Sequence, residues 1–259
     1  MVEPIPRAQT RSLLRGLAAL EHVAAAGEAG VGDVAAALEI PRASAHILLS
    51  TLTHAGYLRQ PRHRGPYRLD LKVLELTHAV LSRMPVRERA APLLHELATA
   101  TGLAAYLAVL FRGRAMTIDR IVPTPRPEAR TDLGHTNPAY ASSMGKAILA
   151  HLSASELERY LDEVALERLT EHTLTTLPAL REELARVRER GYALSEGEHR
   201  SGVRSIAAPV FAYGGEVVAA ICVRHYVPAG HPPDGEHVQA VRETAQRISH
   251  ALGHGAEPR

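Results

Sequence analysis

The sequence predicts an α+β chain in two parts: an N-terminal winged helix-turn-helix over residues 1–69 and a larger mixed domain over 85–253, joined by a linker helix at 70–84 and followed by a tail at 254–259. Three observations predict it. Apolar residues recur at helical spacing in three successive runs before residue 55, and the third run leads into a strand, a basic turn and a second strand. Past residue 84 the pattern changes to strands interleaved with helices. The excess of basic over acidic residues sits in the first part.

The first run, Ser12 to Ala26, places Leu13, Leu14, Leu17, Leu20, Val23 and Ala24 near one helical face and stops at Gly27. After the Gly27–Gly30 turn, Val31 to Leu38 reads as a short helix with Val34, Ala35 and Leu38 inward, broken by Ile40-Pro41. Pro41 suits the start of the next helix, because its missing N–H is one that no helix start can pair. That helix runs to His54 with Ile47, Leu48, Thr51 and Leu52 as its expected buried positions, and Ala55-Gly56 closes it. Tyr57–Gln60, then Pro61–Pro66 with Arg62 and Arg64, then Tyr67-Arg68-Leu69 form the expected wing. Leu71, Leu74, Leu76, Val80 and Leu81 mark the linker helix, which Pro85 interrupts.

The second part begins with a helix from Val86 to Thr101. Strands are expected at Ala104–Phe111, Ala115–Ile121 and 128–132, with a loop over Gly134–Pro138. Helices follow at Ser142–His151, 153–163 and 178–190, the last capped by Gly191. Strands at Tyr192–Glu196, Val203–Tyr213 and Glu216–Tyr226 come next, the last two joined across Gly214-Gly215. A helix over 234–252 closes the domain.

Composition removes several classes of function. With 259 residues and 46% hydrophobic content the chain can bury real cores. It has no uninterrupted apolar run of membrane-spanning length, and Met1–Gln9 carries prolines and a Glu where a signal peptide needs an apolar stretch, so a cytoplasmic location is expected. The single cysteine, Cys222, excludes an internal disulfide framework and a CxxC zinc module. His95-Glu96 lacks the second histidine of a zinc-protease helix, and Gly145-Lys146 lacks the earlier glycine and the following Ser or Thr of a P-loop. Cys222 sits mid-strand with no helix start to activate it. No enzymatic constellation, metal site or cofactor is expected.

Net charge is only +2, but residues 1–84 hold 10 basic against 7 acidic residues, and 85–259 hold 20 against 21. Between 40 and 72 the balance sharpens to Arg42, Arg59, Arg62, Arg64, Arg68 and Lys72 against Asp70 alone. Such a field suits phosphates, although charge alone also describes an ordinary solvated face. In a winged helix the residues at the start of the third helix, Arg42, Ala43, Ser44 and His46, would meet base edges in the major groove of double-stranded operator DNA. Ser50, Thr53 and His54 further along it, and Arg62 and Arg64 on the wing, are placed for phosphates or the minor groove. Arg11 and Arg15 on the first helix are further backbone candidates.

Several motifs, in order and spacing, carry a family resemblance. They are Arg15-Gly16-Leu17 with Leu20-Glu21, Leu38-Glu39-Ile40-Pro41 with Ser44-Ala45-His46, Leu52 with Gly56-Tyr57, and Tyr67-Arg68-Leu69. In the second part they are Gly145-Lys146-Ala147-Ile148-Leu149-Ala150, Gly191-Tyr192 with Glu198, and Ser205-Ile206-Ala207-Ala208-Pro209-Val210. Over nearly its whole length the chain resembles the IclR family of bacterial transcription regulators. The resemblance implies a winged helix followed by a GAF-like α/β effector-binding domain. It also implies homodimers, often paired as dimers of dimers, and a small carboxylate or aromatic-acid effector such as a hydroxybenzoate. It places the effector pocket between the central sheet and the helix containing Gly145.

The start of that helix suits an anion on physical grounds too, since its free N–H groups make Ser143, Met144 and Gly145 natural contacts for a carboxylate, while Ser142 suits an N-cap. By motif the resemblance carries over Ser195, Ser205, Cys222 and Arg224 as further effector-binding positions. The sequence departs from the family pattern where a cysteine is common at the position of Ser205 and an acid at that of Ser195. With Arg224 able to grip a carboxylate, these changes point to an anionic ligand.

The expected function is a ligand-responsive regulator of a catabolic operon, a repressor rather than an activator, with the linker helix as the lever between sensing and reading. The alternative is a DNA-binding oligomer whose second domain senses nothing.

Overall fold

The computed structural model describes residues 10–62, 64–123, 133–226 and 235–255, and the expected strand at 128–132 lies outside them. The chain divides into two units, residues 1–83 and 84–259.

In the first unit α1 (Arg11–Ala26), α2 (Val31–Ala37) and α3 (Arg42–His54) precede a two-stranded wing, β1 (Leu58–Arg59) and β2 (Arg68–Leu69), and then α4 (Lys72–Leu81). The turn into α2 is set by the Gly30 N–H, which donates to Asp33 Oδ2 at 2.8 Å. Pro41 stands immediately before α3, as its missing donor allows. The strands pair antiparallel with Leu58 opposite Leu69, and Tyr67 adds a bridge back to Ala29. Ala19, Val23, Val34, Ala35, Ala45, Leu49, Leu58 and Tyr67 form the core.

This core differs from the expected one on α3. Ala45 and Leu49 are buried, Leu48 and Leu52 pack at the margin, Thr51 is exposed, and Ile47 is 64% exposed. Only Ala45 and Leu49 of α3 are fully buried in this core, a narrower inward stripe than the apolar pattern predicts. Leu13, Leu14 and Leu17 of α1 and Leu71, Leu74, Leu76 and Val80 along α4 are likewise exposed.

The second unit opens with α5 (Pro85–Thr101) and continues through β3 (Ala104–Phe111), β4 (Arg114–Ile121), β5 (Thr136–Pro138), α6 (Ser143–Leu149), α7 (Ala154–Glu163) and α8 (Leu177–Arg190). It ends with β6 (Ala193–Glu196), β7 (Val203–Phe211), β8 (Val217–Tyr226) and α9 (Gly235–Ala251). The expected loop at Gly134–Pro138 contains the edge strand β5, too short to show an alternation in the sequence. All neighbours in the sheet run antiparallel, in the order β5-β4-β3-β8-β7-β6.

Strand alternation sorts the two faces. Tyr106, Ala108, Ala207, Ala220 and Cys222 pack with α6, α7 and α8 in one core, while α5 and α9 pack on the strands from elsewhere. The residues between Ser143 and Leu149 are all buried. Gly145 explains how: a Cβ there would stand 2.3 Å from the Cα and the carbonyl oxygen of Ala139. Only glycine lets α6 lie against the turn that precedes it.

Candidate functional sites

The first site is the surface made by the starts of α2 and α3 and the wing. A concave region of about 740 Å³ is lined by Gly30, Val31, Gly32, Asp33, Arg42, His46, Gln60, Arg64, Gly65, Pro66 and Tyr67. It brings Arg42 and His46 of α3 together with Arg64 of the wing, residues 18 or more positions apart in the chain. The wing tip is a built turn: the Gly65 N–H donates to Arg62 O at 2.8 Å, and the Gln60 amide donates to Gly65 O at 2.8 Å. Arg64 is held at φ +63°, an unusual conformation for a side-chain-bearing residue.

Arg11, Arg15, Arg42, Ala43, His46, Ser50, His54, Arg62 and Arg64 are exposed, and Ser44 is half-buried at the helix start. Thr53 is also half-buried and donates its hydroxyl to Leu49 O at 2.8 Å, a bond that ties it to its own helix. Two of the six clustered cations have structural duties. Arg68 is ion-paired with Glu28, and Lys72 Nζ donates to Ala55 O at 2.6 Å while lying over the Tyr57 ring.

The second site lies within the second unit, beside the start of α6. A cavity of about 170 Å³ is lined by His135, Asn137, Ala141, Ser142, Ser195, His199, Arg200, Val203, Ser205 and Arg224. Sheet register makes its floor. Ser195 lies opposite Ser205, Ser205 opposite Arg224, and Arg224 opposite Ala104, one row across four strands. The Arg224 guanidinium rests over the Tyr106 ring at 4.7 Å, in cation–π contact. Ser195 donates to Ala141 O at 3.2 Å.

Of the expected pocket residues, Ser195, Ser205 and Arg224 line the cavity. Ser143 stands behind it, its hydroxyl 2.7 Å from that of Ser205. Met144 and Gly145 are buried away from it, and the Gly145 N–H is taken by the Ser142 hydroxyl at 3.1 Å, so Ser142 is the N-cap. Cys222 is one row deeper, opposite Tyr106 and Ala207, and burial pushes its thiol up to about 11, the wrong direction for a nucleophile.

Sequence reasoning missed His135, Asn137, His199 and Arg200. The last two come from the loop between β6 and β7, whose ends are Gly197 and Gly202, both at positive φ near +70°. That loop is firmly seated. Thr170 and Thr173 hydroxyls donate to Gly197 O and Glu198 O at 2.7 Å, and Lys146 Nζ of α6 lies 2.5 Å from Glu198 Oε1 and 3.6 Å from Glu183 Oε1. The glycines at 197 and 202 beside strand residues 195 and 205 were the available signal. Among the described residues no group of three His, Cys, Asp or Glu side chains could hold a metal ion, and no helix is long and apolar enough to cross a membrane.

Comparison with known proteins gives these two sites a context. Residues 12–62 match the IclR helix-turn-helix domain, and residues 78–250 match the C-terminal domain of bacterial transcriptional regulator IclR. The HTH-type transcriptional repressor AllR of Salmonella typhi is 31% identical over 255 residues, covering 97% of this chain and 93% of AllR. The crystal structure of a transcriptional regulator from Rhodococcus sp. RHA1 superposes with TM-score 0.80 at 31% identity, over 94% of this chain and 98% of that one. An IclR homolog from Microbacterium hydrocarbonoxydans, crystallised in complex with 4-hydroxybenzoate, has TM-score 0.79 and 24% identity, over 93% of this chain and 98% of that one, a likeness of fold. An N-terminal helix-turn-helix domain and a C-terminal α/β domain, both matched in order, place the chain in a family of regulators and not of enzymes: it belongs to the IclR family of bacterial transcriptional regulators.

Proposed function

We propose that this protein is a repressor of a catabolic operon whose affinity for operator DNA is set by a small organic acid bound beside α6. The observation that carries this reading is the lining of the cavity: two guanidinium groups, two imidazoles, three serine hydroxyls and an asparagine, with no Asp or Glu among the described lining residues. At about 170 Å³ it is well under the roughly 300–1,000 Å³ of sites for drug-sized ligands, which favours a compact acid. A hydroxybenzoate is the aromatic candidate, given the 4-hydroxybenzoate complex of the Microbacterium homolog, and repression is supported by the likeness to the repressor AllR.

The DNA contacts in this reading are those on the first site. Arg42, Ala43, Ser44 and His46 read bases. Arg62, Arg64, Ser50, His54, Arg11 and Arg15 hold the backbone, and Thr53, its hydroxyl committed to Leu49 O, supports the helix that carries them. Ser195, Ser205 and Arg224 contact the acid, with Ser143, Met144, Gly145 and Cys222 supporting them from behind. The exposed leucines of α1 and α4 favour pairing of two copies through the first unit, so that two heads meet two half-sites.

Linkage requires that a ligand which binds the operator-free state better than the operator-bound state releases DNA. The test is operator binding with and without an acid panel containing 4-hydroxybenzoate, benzoate, pyruvate and succinate, alongside thermal melting of the protein. An acid that raises the melting temperature and weakens operator binding is expected. If no acid changes either quantity, the domain is a non-sensing oligomerisation module and the reading fails.

A further inference from the structure

The cavity beside α6 contains a group that its proposed ligand would recharge. His199 is half-buried on the loop that Gly197 and Gly202 bend. Burial, then His135, Arg224, Arg114 and Arg200 in order of effect, hold its imidazole below the usual histidine value of 6.5, which favours its neutral form.

Basic side chains reach it from four places: Arg114 from β4, His135 from the segment before β5, Arg224 from β8, and Arg200 from its own loop. The acids near the loop are engaged elsewhere. Glu198 is on Lys146, Glu196 is 2.6 Å from Arg204, and Glu183 is shared among Lys146, Arg186 and Arg190. Among the described residues no carboxylate lines the cavity. An anion entering it would bring a negative charge beside the imidazole.

We propose that His199 takes up one proton when a small carboxylate anion occupies the cavity, which makes the site selective for the anion over its neutral analogues and couples ligand affinity to pH. The proposal rests on the acid-sensing reading above. The sign follows from linkage. His199 titrates below 6.5 in the free protein and higher in the complex. Between those two values binding absorbs a proton, so affinity falls as pH rises through the value of the complex, and it levels off below that of the free protein. A carboxylic acid of ordinary pKa stays ionised across this range, so the ligand itself contributes no slope.

The experiment is calorimetry on the full-length protein with 4-hydroxybenzoate, benzoate, pyruvate and succinate, each run in two buffers of different ionisation enthalpy at pH 6.0 and pH 8.5. For the acid that binds, uptake of close to one proton near pH 7 and about tenfold tighter binding at pH 6.0 than at pH 8.5 are expected. The corresponding neutral amide should bind without proton uptake. His199→Gln should lose both the uptake and the pH slope of the acid binding it retains, whereas His250→Asn, at an exposed position of α9 outside the cavity, should keep them. An unchanged melting temperature of the ligand-free variants guards against misfolding.

Acid binding with no proton uptake in the unaltered protein would overturn the proton coupling and leave the acid-sensing reading standing. Uptake that survives His199→Gln would overturn the assignment to His199. Absence of binding by every acid would remove both.

Discussion

Lys146 Nζ on the fully buried helix α6 lies 2.5 Å from Glu198 Oε1, the residue beside His199 on the loop that lines the cavity. This pair fastens the loop to the helix, with Glu183 of α8 as a third member at 3.6 Å. Burial pushes the Glu198 carboxyl above its usual range, and Lys146 pulls it back.

Removing one partner should therefore strand the other. Lys146→Met is expected to cost about 3–5 kcal/mol of unfolding free energy, because it leaves a buried carboxyl without its counter-charge. The double variant Lys146→Met with Glu198→Gln should recover a large part of that loss. Urea unfolding of the single and double variants measures both, and additive losses would show that the pair is not a coupled unit.

Gly145→Ala should be worse than its one methyl group suggests. The new Cβ has the backbone of Ala139 at 2.3 Å, and backbone cannot rotate away as a flexible side chain can. A loss of about 1–3 kcal/mol is expected from overpacking, together with displacement of Ser142 and the cavity wall. Thermal melting reads the first effect and acid-induced stabilisation reads the second.

On the DNA side, Arg62→Ala should weaken binding to all operator sequences alike and reduce the slope of log affinity against log salt by about 0.9. Arg42→Ala, at the start of α3, should instead change the ranking among operator variants. Titrations at several salt concentrations distinguish the two. Loss confined to particular operators in Arg62→Ala would show that this residue reads bases.

Leu49→Ala tests the packing of the reading head. Leu49 is completely buried on α3 among Val23, Val34, Ala45 and Leu58, so its truncation is expected to cost about 2–5 kcal/mol. Ile47→Ala, two residues away and 64% exposed, should change stability by less than about 0.5 kcal/mol in the isolated chain. The contrast reverses what the apolar pattern of α3 alone would suggest.

Leu74→Glu probes the exposed stripe on α4, where Leu71, Leu74, Leu76 and Val80 are each more than half exposed. If two copies pair through it, the substitution should shift the protein to monomers in light scattering and weaken binding to two-half-site operators far more than to single half-sites. An unchanged mass would move the pairing surface elsewhere.

The sequence by itself determined the linear plan. Helical periodicity, Gly27, Pro41 and Gly56 delimit α1 to α3 because local sterics and capping act within a few residues. The Gly214-Gly215 turn marked out the junction of β7 and β8 for the same reason. Local pattern could not decide which side of α3 meets its neighbours, so Ile47 was placed inside and Ala45 was not. It also could not see that the Gly145 N–H was already taken by Ser142, or that β5 existed, since three residues show no period.

The family resemblance pointed to Ser195, Ser205 and Arg224, but the geometry that joins them in one cavity was decided by the tertiary structure. Ser195, Ser205 and Arg224 form one row only when β6, β7 and β8 pair in this register, and a one-residue slip would turn each of them to the opposite face. His135 and His199, 64 residues apart in the chain, line the same cavity because the sheet order and the Lys146–Glu198 pair bring a strand edge and a loop to the start of one helix. Charge in a sequence is a list, whereas its effect on a ligand or on an imidazole depends on distance and burial, and those exist only in the folded chain.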